Sequence, residues 1–207
     1  MRLICGPADF QMPNAIGDAL RVILYGQPGS DTEASAGEAA KTDIVRRRLE
    51  AVPRAWDLLS IALSVMTADC AGHRDASPDG WTREFELDIA VVEPDFWSTQ
   101  AAALQATLAF LTTDRWFLRF HSGGLLPAPP RAPIRPEEDC VTLLSGGLDS
   151  LVGGIDLVAV GRKPFALSQM VRGDAKKQEA FAARIGGGLR HLQLNHNATA
   201  PGKEDTT

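Results

Sequence analysis

Ser145, Gly146, Gly147, Leu148, Asp149 and Ser150 form a stretch whose residue types and spacing suit one chemistry, the holding of a pyrophosphate group. Two consecutive glycines between an apolar run and a helical segment let the backbone come close to a ligand. The first-turn N–H groups of that helix point into the same space. Ser145 and Ser150 add hydroxyl donors at the two ends, while Asp149 is suited to cap the helix, fix the loop or help hold a magnesium ion. Each residue alone is ordinary, because a Ser or Asp near a helix start is usually a cap and a glycine pair usually a turn. The signal lies in their combination behind a buried strand. Other phosphate loops do not compete: the Walker pattern G-x-x-x-x-G-K-[ST] is absent, and no G-x-G-x-x-G follows a predicted strand.

The elements that must position this loop are legible on both sides of it. Cys140 to Leu144 is a short apolar run without polar alternation, as expected of a strand buried on both faces. Asp149 to Val160 reads as a helix ending at Gly161, and Phe165-Ala166-Leu167 starts a second buried strand. Asp174 to Ile185 gives a second helix, stopped by Gly186-Gly187-Gly188 before a third strand from Leu189 to Leu194. Strand and helix alternate, which predicts a parallel, doubly wound sheet.

Ahead of this unit, Pro127, Pro129, Pro130, Pro133 and Pro136 exclude regular structure and predict an extended linker. The expected division is an N-terminal domain over 1–125, a linker over 126–138 and a phosphate-loop domain over 139–207. The N-terminal part begins with a strand, followed by Gln27 to Ala40 as a loop. A helical region from Thr42 to Thr67 comes next, split by Pro53. Arg83 to Val92 alternates Phe85, Leu87, Ile89 and Val91 with Glu84, Glu86 and Asp88, the pattern of a half-buried strand. A helix from Trp97 to Leu111 and a strand from Arg115 to His121 complete a small α+β domain without a chemical motif.

Composition narrows the function classes. The chain has 207 residues, 44% of them hydrophobic, enough for a packed core. Its net charge of −5, from 21 basic and 26 acidic residues, disfavours general nucleic-acid binding. Three scattered cysteines, Cys5, Cys70 and Cys140, give no disulfide framework and fit a reducing cytoplasm. No apolar stretch is long enough for a membrane span, so a soluble protein is expected.

Ser-Gly-Gly-Leu-Asp-Ser resembles the signature of the PP-loop ATP pyrophosphatases. The run Val141 to Leu151, then Lys163-Pro164-Phe165-Ala166-Leu167-Ser168 and Lys176-Lys177-Gln178-Glu179-Ala180, is most similar to the 7-cyano-7-deazaguanine synthase branch, QueC. The whole layout resembles the QueC-like proteins of bacterial anti-phage operons, the QatC type, in which an α+β domain precedes the loop. The resemblance implies a HUP-type, Rossmann-like fold. It implies ATP with magnesium as cofactor, a deazapurine-like carboxylate as substrate, and a protein partner from the same operon. The implied reaction is attack of a substrate oxygen on the α phosphate, with departure of pyrophosphate held by the loop. A nitrogen or sulfur nucleophile then displaces AMP.

Carried over residue by residue, Asp149 and Ser150 are the expected catalytic residues, and Ser145, Gly146, Gly147, Leu148, Asp149 and Ser150 the nucleotide loop. Leu167, Ser168 and Gln169 are expected beside the adenine. Arg172, Lys176 and Lys177, at the carboxyl end of the second strand, are placed either to reach ATP phosphates or to form a solvated helix face. The chain departs from the branch at Ser168-Gln169-Met170-Val171-Arg172-Gly173, where a Tyr-Gly-Gln-Arg-His-like segment stands in the synthases. It also lacks the family's cysteine cluster for zinc, so no metal ligands are assigned. His191 and His196 are read as solvated, on opposite faces of a strand end.

The sequence after Ser150 provides fewer strands than the family's domain, and Asn195 to Thr207 reads as a frayed end, so a partial domain with an exposed strand edge is expected. Two functions follow: an ATP-dependent ligase that adenylates a deazaguanine-type carboxylate, or a catalytically incomplete nucleotide- or partner-binding module.

Overall fold

The structure is a computed structural model that describes residues 1–11, 18–170 and 173–201. The strands and helices divide into two compact units. The first gathers Met1–Lys41, Ala51–Pro129 and the segment from Asn197; the second gathers Thr42–Glu50 and Pro130–His196. The division falls inside the proline-rich segment, after Pro129.

In the first unit, strands β1 (Arg2–Gly6), β2 (Leu20–Leu24), β3 (Ala34–Ala36), β4 (Glu84–Val91) and β5 (Arg115–Ser122) form one sheet in the order β3-β2-β1-β4-β5. Every pairing is parallel. The expected α+β domain is therefore corrected to α/β, with the strand order of doubly wound sheets. The alternation of β4 misled because it does not mark a solvent-washed antiparallel strand. Its polar side is a network of ion pairs. Asp88 is fully buried and accepts from Arg2 (2.9 Å), Arg119 (2.8 Å) and His121 (3.0 Å) on the neighbouring strands. Burial alone would raise the Asp88 carboxyl, but the hydrogen bonds from Arg119, His121 and Arg2 win and hold it at about 2.

The opposite side of the sheet carries the core, with Leu3, Cys5, Phe85, Leu87 and Ile89 all buried. Helix α2 (Pro53–Ala71) lies against β4, β2 and β3, and α3 (Pro94–Thr112) against β5. Pro53 sits in the first turn of α2, where a missing N–H costs nothing, so it starts a helix rather than merely splitting one. Phe85 stacks on Trp116 at 4.4 Å between centroids.

Two expectations about loops are also corrected. Gln27 to Ala40 contains β3 and the start of helix α1 (Glu38–Arg46); the strand is built from small residues that α2 can cover. The end from Asn195 is not frayed throughout. Thr199 pairs with Ser35, its N–H donating to the Ser35 carbonyl at 2.8 Å, and Asn197 accepts from the Ala39 N–H. The last six residues of that expected end lie outside the described residues.

The second unit holds β6 (Cys140–Leu143), α4 (Leu148–Ala159), β7 (Pro164–Gln169), α5 (Ala175–Arg184) and β8 (His191–Leu194), with the three strands parallel in the order β6-β7-β8. Leu144, Ala166, Ala182 and Ile185 form its core, joined by Leu151, Val158, Phe181 and Leu189.

Candidate phosphate-binding site

Beyond the end of β6, the Leu144 N–H still pairs with the Leu167 carbonyl at 2.8 Å, and the chain then leaves the sheet. Gly146 takes φ +89°, a left-handed conformation that costs glycine nothing and other residues 1–2 kcal/mol, roughly. Gly147 is the N-cap of α4, and among the described residues no side chain caps this helix. The N–H groups of its first turn have no intrahelical acceptor and converge at the loop.

The two serines close the loop on itself. Ser145 Oγ donates to Ser150 Oγ at 3.1 Å and accepts from the Gly147 N–H at 3.3 Å, and Ser150 Oγ donates to the Gly147 carbonyl at 3.0 Å. Leu148 and Asp149 stand exposed in the first turn of α4.

The start of α5 borders the loop from the other side. A Cβ placed on Gly146 would lie 3.4 Å from Gln178 Cγ, 3.7 Å from Lys177 Cε and 4.0 Å from Asp174 Cβ. Lys177 Nζ is 3.7 Å from Asp174 Oδ1, and both side chains are about half exposed, so this pair contributes little to stability and leaves the ammonium available to an anion. Lys176 is exposed on the same helix. Arg172 lies outside the described residues.

Sequence reasoning missed the residue that ties these pieces together. Gln178 is 1% exposed. Its Nε2 donates to the Ser145 carbonyl (3.2 Å) and the Gln169 carbonyl (3.1 Å), and its Oε1 accepts from Gln193 Nε2 (3.0 Å), which also donates to the Ala175 carbonyl. One buried amide thus links the loops that follow β6 and β7, as well as β8. The signal for it was present: Gln178 falls on the same helical stripe as Ala182 and Ile185, where an apolar residue belongs.

The structure brings Leu167, Ser168 and Gln169 beside the loop through β6–β7 pairing. Ser168 is buried; its hydroxyl donates to the Leu144 carbonyl and lies 2.8 Å from His191 Nε2. Gln169 Nε2 lies 2.6 Å from His196 Nε2. The histidines are thus corrected from solvated to hydrogen-bonded groups. Burial lowers both pKa values; at His191, Glu179 opposes that shift and Arg47 adds to it.

Two further observations bear on ligands. A hollow of about 620 Å³ in the first unit is lined by Met1, Gly72, Glu84 and Arg115 among others, at the amino ends of β4 and β5, whereas doubly wound sheets bind ligands at their carboxyl ends. Among the described residues, no group of three or more His, Cys, Asp or Glu side chains is placed to hold a metal ion, and no helix is long and apolar enough to cross a membrane. No family model, curated protein sequence or solved structure matches the chain.

Proposed function

We propose that the second unit is a HUP-type PP-loop nucleotide site of the QueC-like class, which binds ATP and adenylates a deazaguanine-type carboxylate in the cytoplasm, within an anti-phage defence system. The observation that carries this reading is the uncapped N-terminus of α4, facing a loop bent by left-handed Gly146 at the carboxyl end of a parallel strand. A phosphate there would meet several N–H donors and the positive end of the helix dipole. Lys177 stands close enough to add a positive charge.

In the proposed reaction a substrate carboxylate oxygen bonds to the α phosphorus. The bond from that phosphorus to the oxygen bridging the β phosphate breaks, and pyrophosphate leaves with the electron pair. The loop stabilises charge that grows on the leaving group, so its N–H donors lower the barrier as well as bind. Ser150 and Ser145 would turn their hydroxyls from each other to the phosphate oxygens. Asp149 fits a magnesium site, since magnesium is commonly held by one carboxylate together with substrate phosphates. Ammonia or a sulfur nucleophile then displaces AMP from the acyl adenylate.

ATP–pyrophosphate exchange with a 7-carboxy-deazapurine tests this directly. Exchange is expected in the wild-type chain and absent in Asp149→Ala. A second reading, a nucleotide-binding module without turnover, is favoured by β6, which ends its sheet and, against the expectation of burial on both faces, leaves one face open with Val141 64% and Leu143 72% exposed. ATP binding without exchange would select it. Absence of both ATP and pyrophosphate binding would reject the site altogether.

A further inference from the structure

Helix α3 presents an outer face that does not suit water. From Phe96 to Thr113 it carries no charged residue, yet Trp97 is its one buried side chain. A surface helix ordinarily places charges opposite its apolar stripe. Here the inward stripe is Trp97, Leu104 and Leu108, with Gln105 accepting from the Leu118 N–H of β5. The outward stripe is Thr99, Ala103, Ala106 and Phe110, flanked by Ala102 and Ala109, all exposed, with Phe110 86% open.

The hydroxyls along the helix are satisfied without solvent. Ser98 donates to the Pro94 carbonyl, Thr99 to Phe96, Thr107 to Ala103 and Thr112 to Leu108, at 2.6–2.9 Å. Covering this face would therefore strand few polar groups.

We infer that α3 is the contact helix of a homodimer, packed antiparallel on the α3 of a second copy about a two-fold axis at Ala106. The occupant follows from the arrangement of large and small residues. In an antiparallel pair centred on Ala106, position 110 of one helix faces position 102 of the other. The exposed phenylalanine then enters the gap over Ala102 and Ala103, and by symmetry the exchange happens twice. Ala106 meets its own copy at the axis, where a small side chain lets the backbones approach. An isologous contact needs this kind of self-complementarity. It also explains why charges are missing, since any charge near the axis would meet its like.

Two helices of this length bury roughly 1,000 Å² in total, at the low end for a specific interface, so the dimer should dissociate in the micromolar range. Sedimentation of the full chain across that range reads the equilibrium. The wild type is expected to shift from monomer to dimer, and Phe110→Glu to remain monomeric, its dimer constant weakened at least about 100-fold. Phe110 is largely solvent-exposed, so at concentrations where the wild type is monomeric the two thermal melts should coincide. Ala106→Cys, in a Cys70→Ser background, should form an intermolecular disulfide at position 106 on mild oxidation, because an antiparallel pair centred there brings the two Cα atoms within about 7 Å. A wild type that stays monomeric throughout the range overturns the inference. So does a dimer that survives Phe110→Glu, or one that gives no 106–106 cross-link.

Discussion

Replacing Gln178 with leucine removes the amide that joins the β6 and β7 loops while keeping nearly the same volume. Three hydrogen bonds disappear, to the Ser145 and Gln169 carbonyls and from Gln193. At about 1 kcal/mol each, with water able to reach the partly exposed Ser145 side, the cost is about 2 to 3 kcal/mol. That loss should be confined to the second unit, and the chain offers a way to see this. Trp56, Trp81, Trp97, Trp116 and Tyr25 all lie in the first unit. Tryptophan fluorescence during urea unfolding should therefore be unchanged, while amide exchange at Leu144 and Leu151 accelerates about 30- to 150-fold. Affinity for ATP and for pyrophosphate should fall at the same time, because the Ser145 carbonyl no longer fixes the loop. Unchanged exchange would show that Gln178 does not hold the loops. Faster exchange with undiminished pyrophosphate affinity would leave it a packing residue with no part in binding.

Gly146→Ala should weaken pyrophosphate binding about tenfold or more, since φ +89° disfavours any Cβ while the neighbouring Gln178 and Lys177 atoms leave room for it; isothermal titration against inorganic pyrophosphate reads the change. Asp88→Asn should destabilise the first unit at neutral pH by at least about 2.5 kcal/mol, the worth of a carboxyl held at about 2 rather than 3.8. Because the folded pKa is the lower one, this stabilisation is fully present above about pH 4 and is lost as pH falls toward 2, so the gap between wild type and variant, followed by tryptophan fluorescence, should close over that interval. A gap that widens on acidification would contradict the ion-pair geometry around Asp88.

The legible parts of the fold were those with strong local signals. Pro53, the apolar run at Cys140 and the glycine loop each announced an element through backbone chemistry. Chain direction in the first sheet was not legible, because hydrophobic alternation says that one face is polar without saying what satisfies it. On β4 the answer is Arg2 and Arg119, residues from strands far away in sequence. Ala34, Ser35 and Ala36 gave no signal for β3, since their burial depends on α2 rather than on their own bulk. At the candidate site, residue types in sequence order gave the loop but not its support. Gln178, Gln193 and Ser168 act through carbonyls and amides on other elements, and such pairings become visible only when the chain is folded.

The two sheets treat their carboxyl edges in opposite ways, and this gives a physical reason to look for an anionic ligand in only one of them. In the first unit, the switch between β1 and β4 is where a doubly wound sheet would offer a crevice. The protein's own side chains occupy it. Phe10 lies against Gly6, so close that a Cβ there would sit 2.5 Å from the ring. Asp57, fully buried on α2, accepts from the Val92 N–H (2.7 Å), the Glu93 N–H (3.0 Å) and Trp97 Nε1 (3.0 Å). An internal carboxylate thus sits at the N-terminus of α3, where a phosphate would otherwise be stabilised, and three donors are spent on it. At α4 the same kind of helix start follows the same kind of strand. There, among the described residues, no side chain caps the helix, the two serines hydrogen-bond each other, and Asp149 stands exposed in the first turn. A parallel sheet whose helix N-terminus is already neutralised serves as scaffold, whereas one that leaves its donors open retains the capacity to bind an anion.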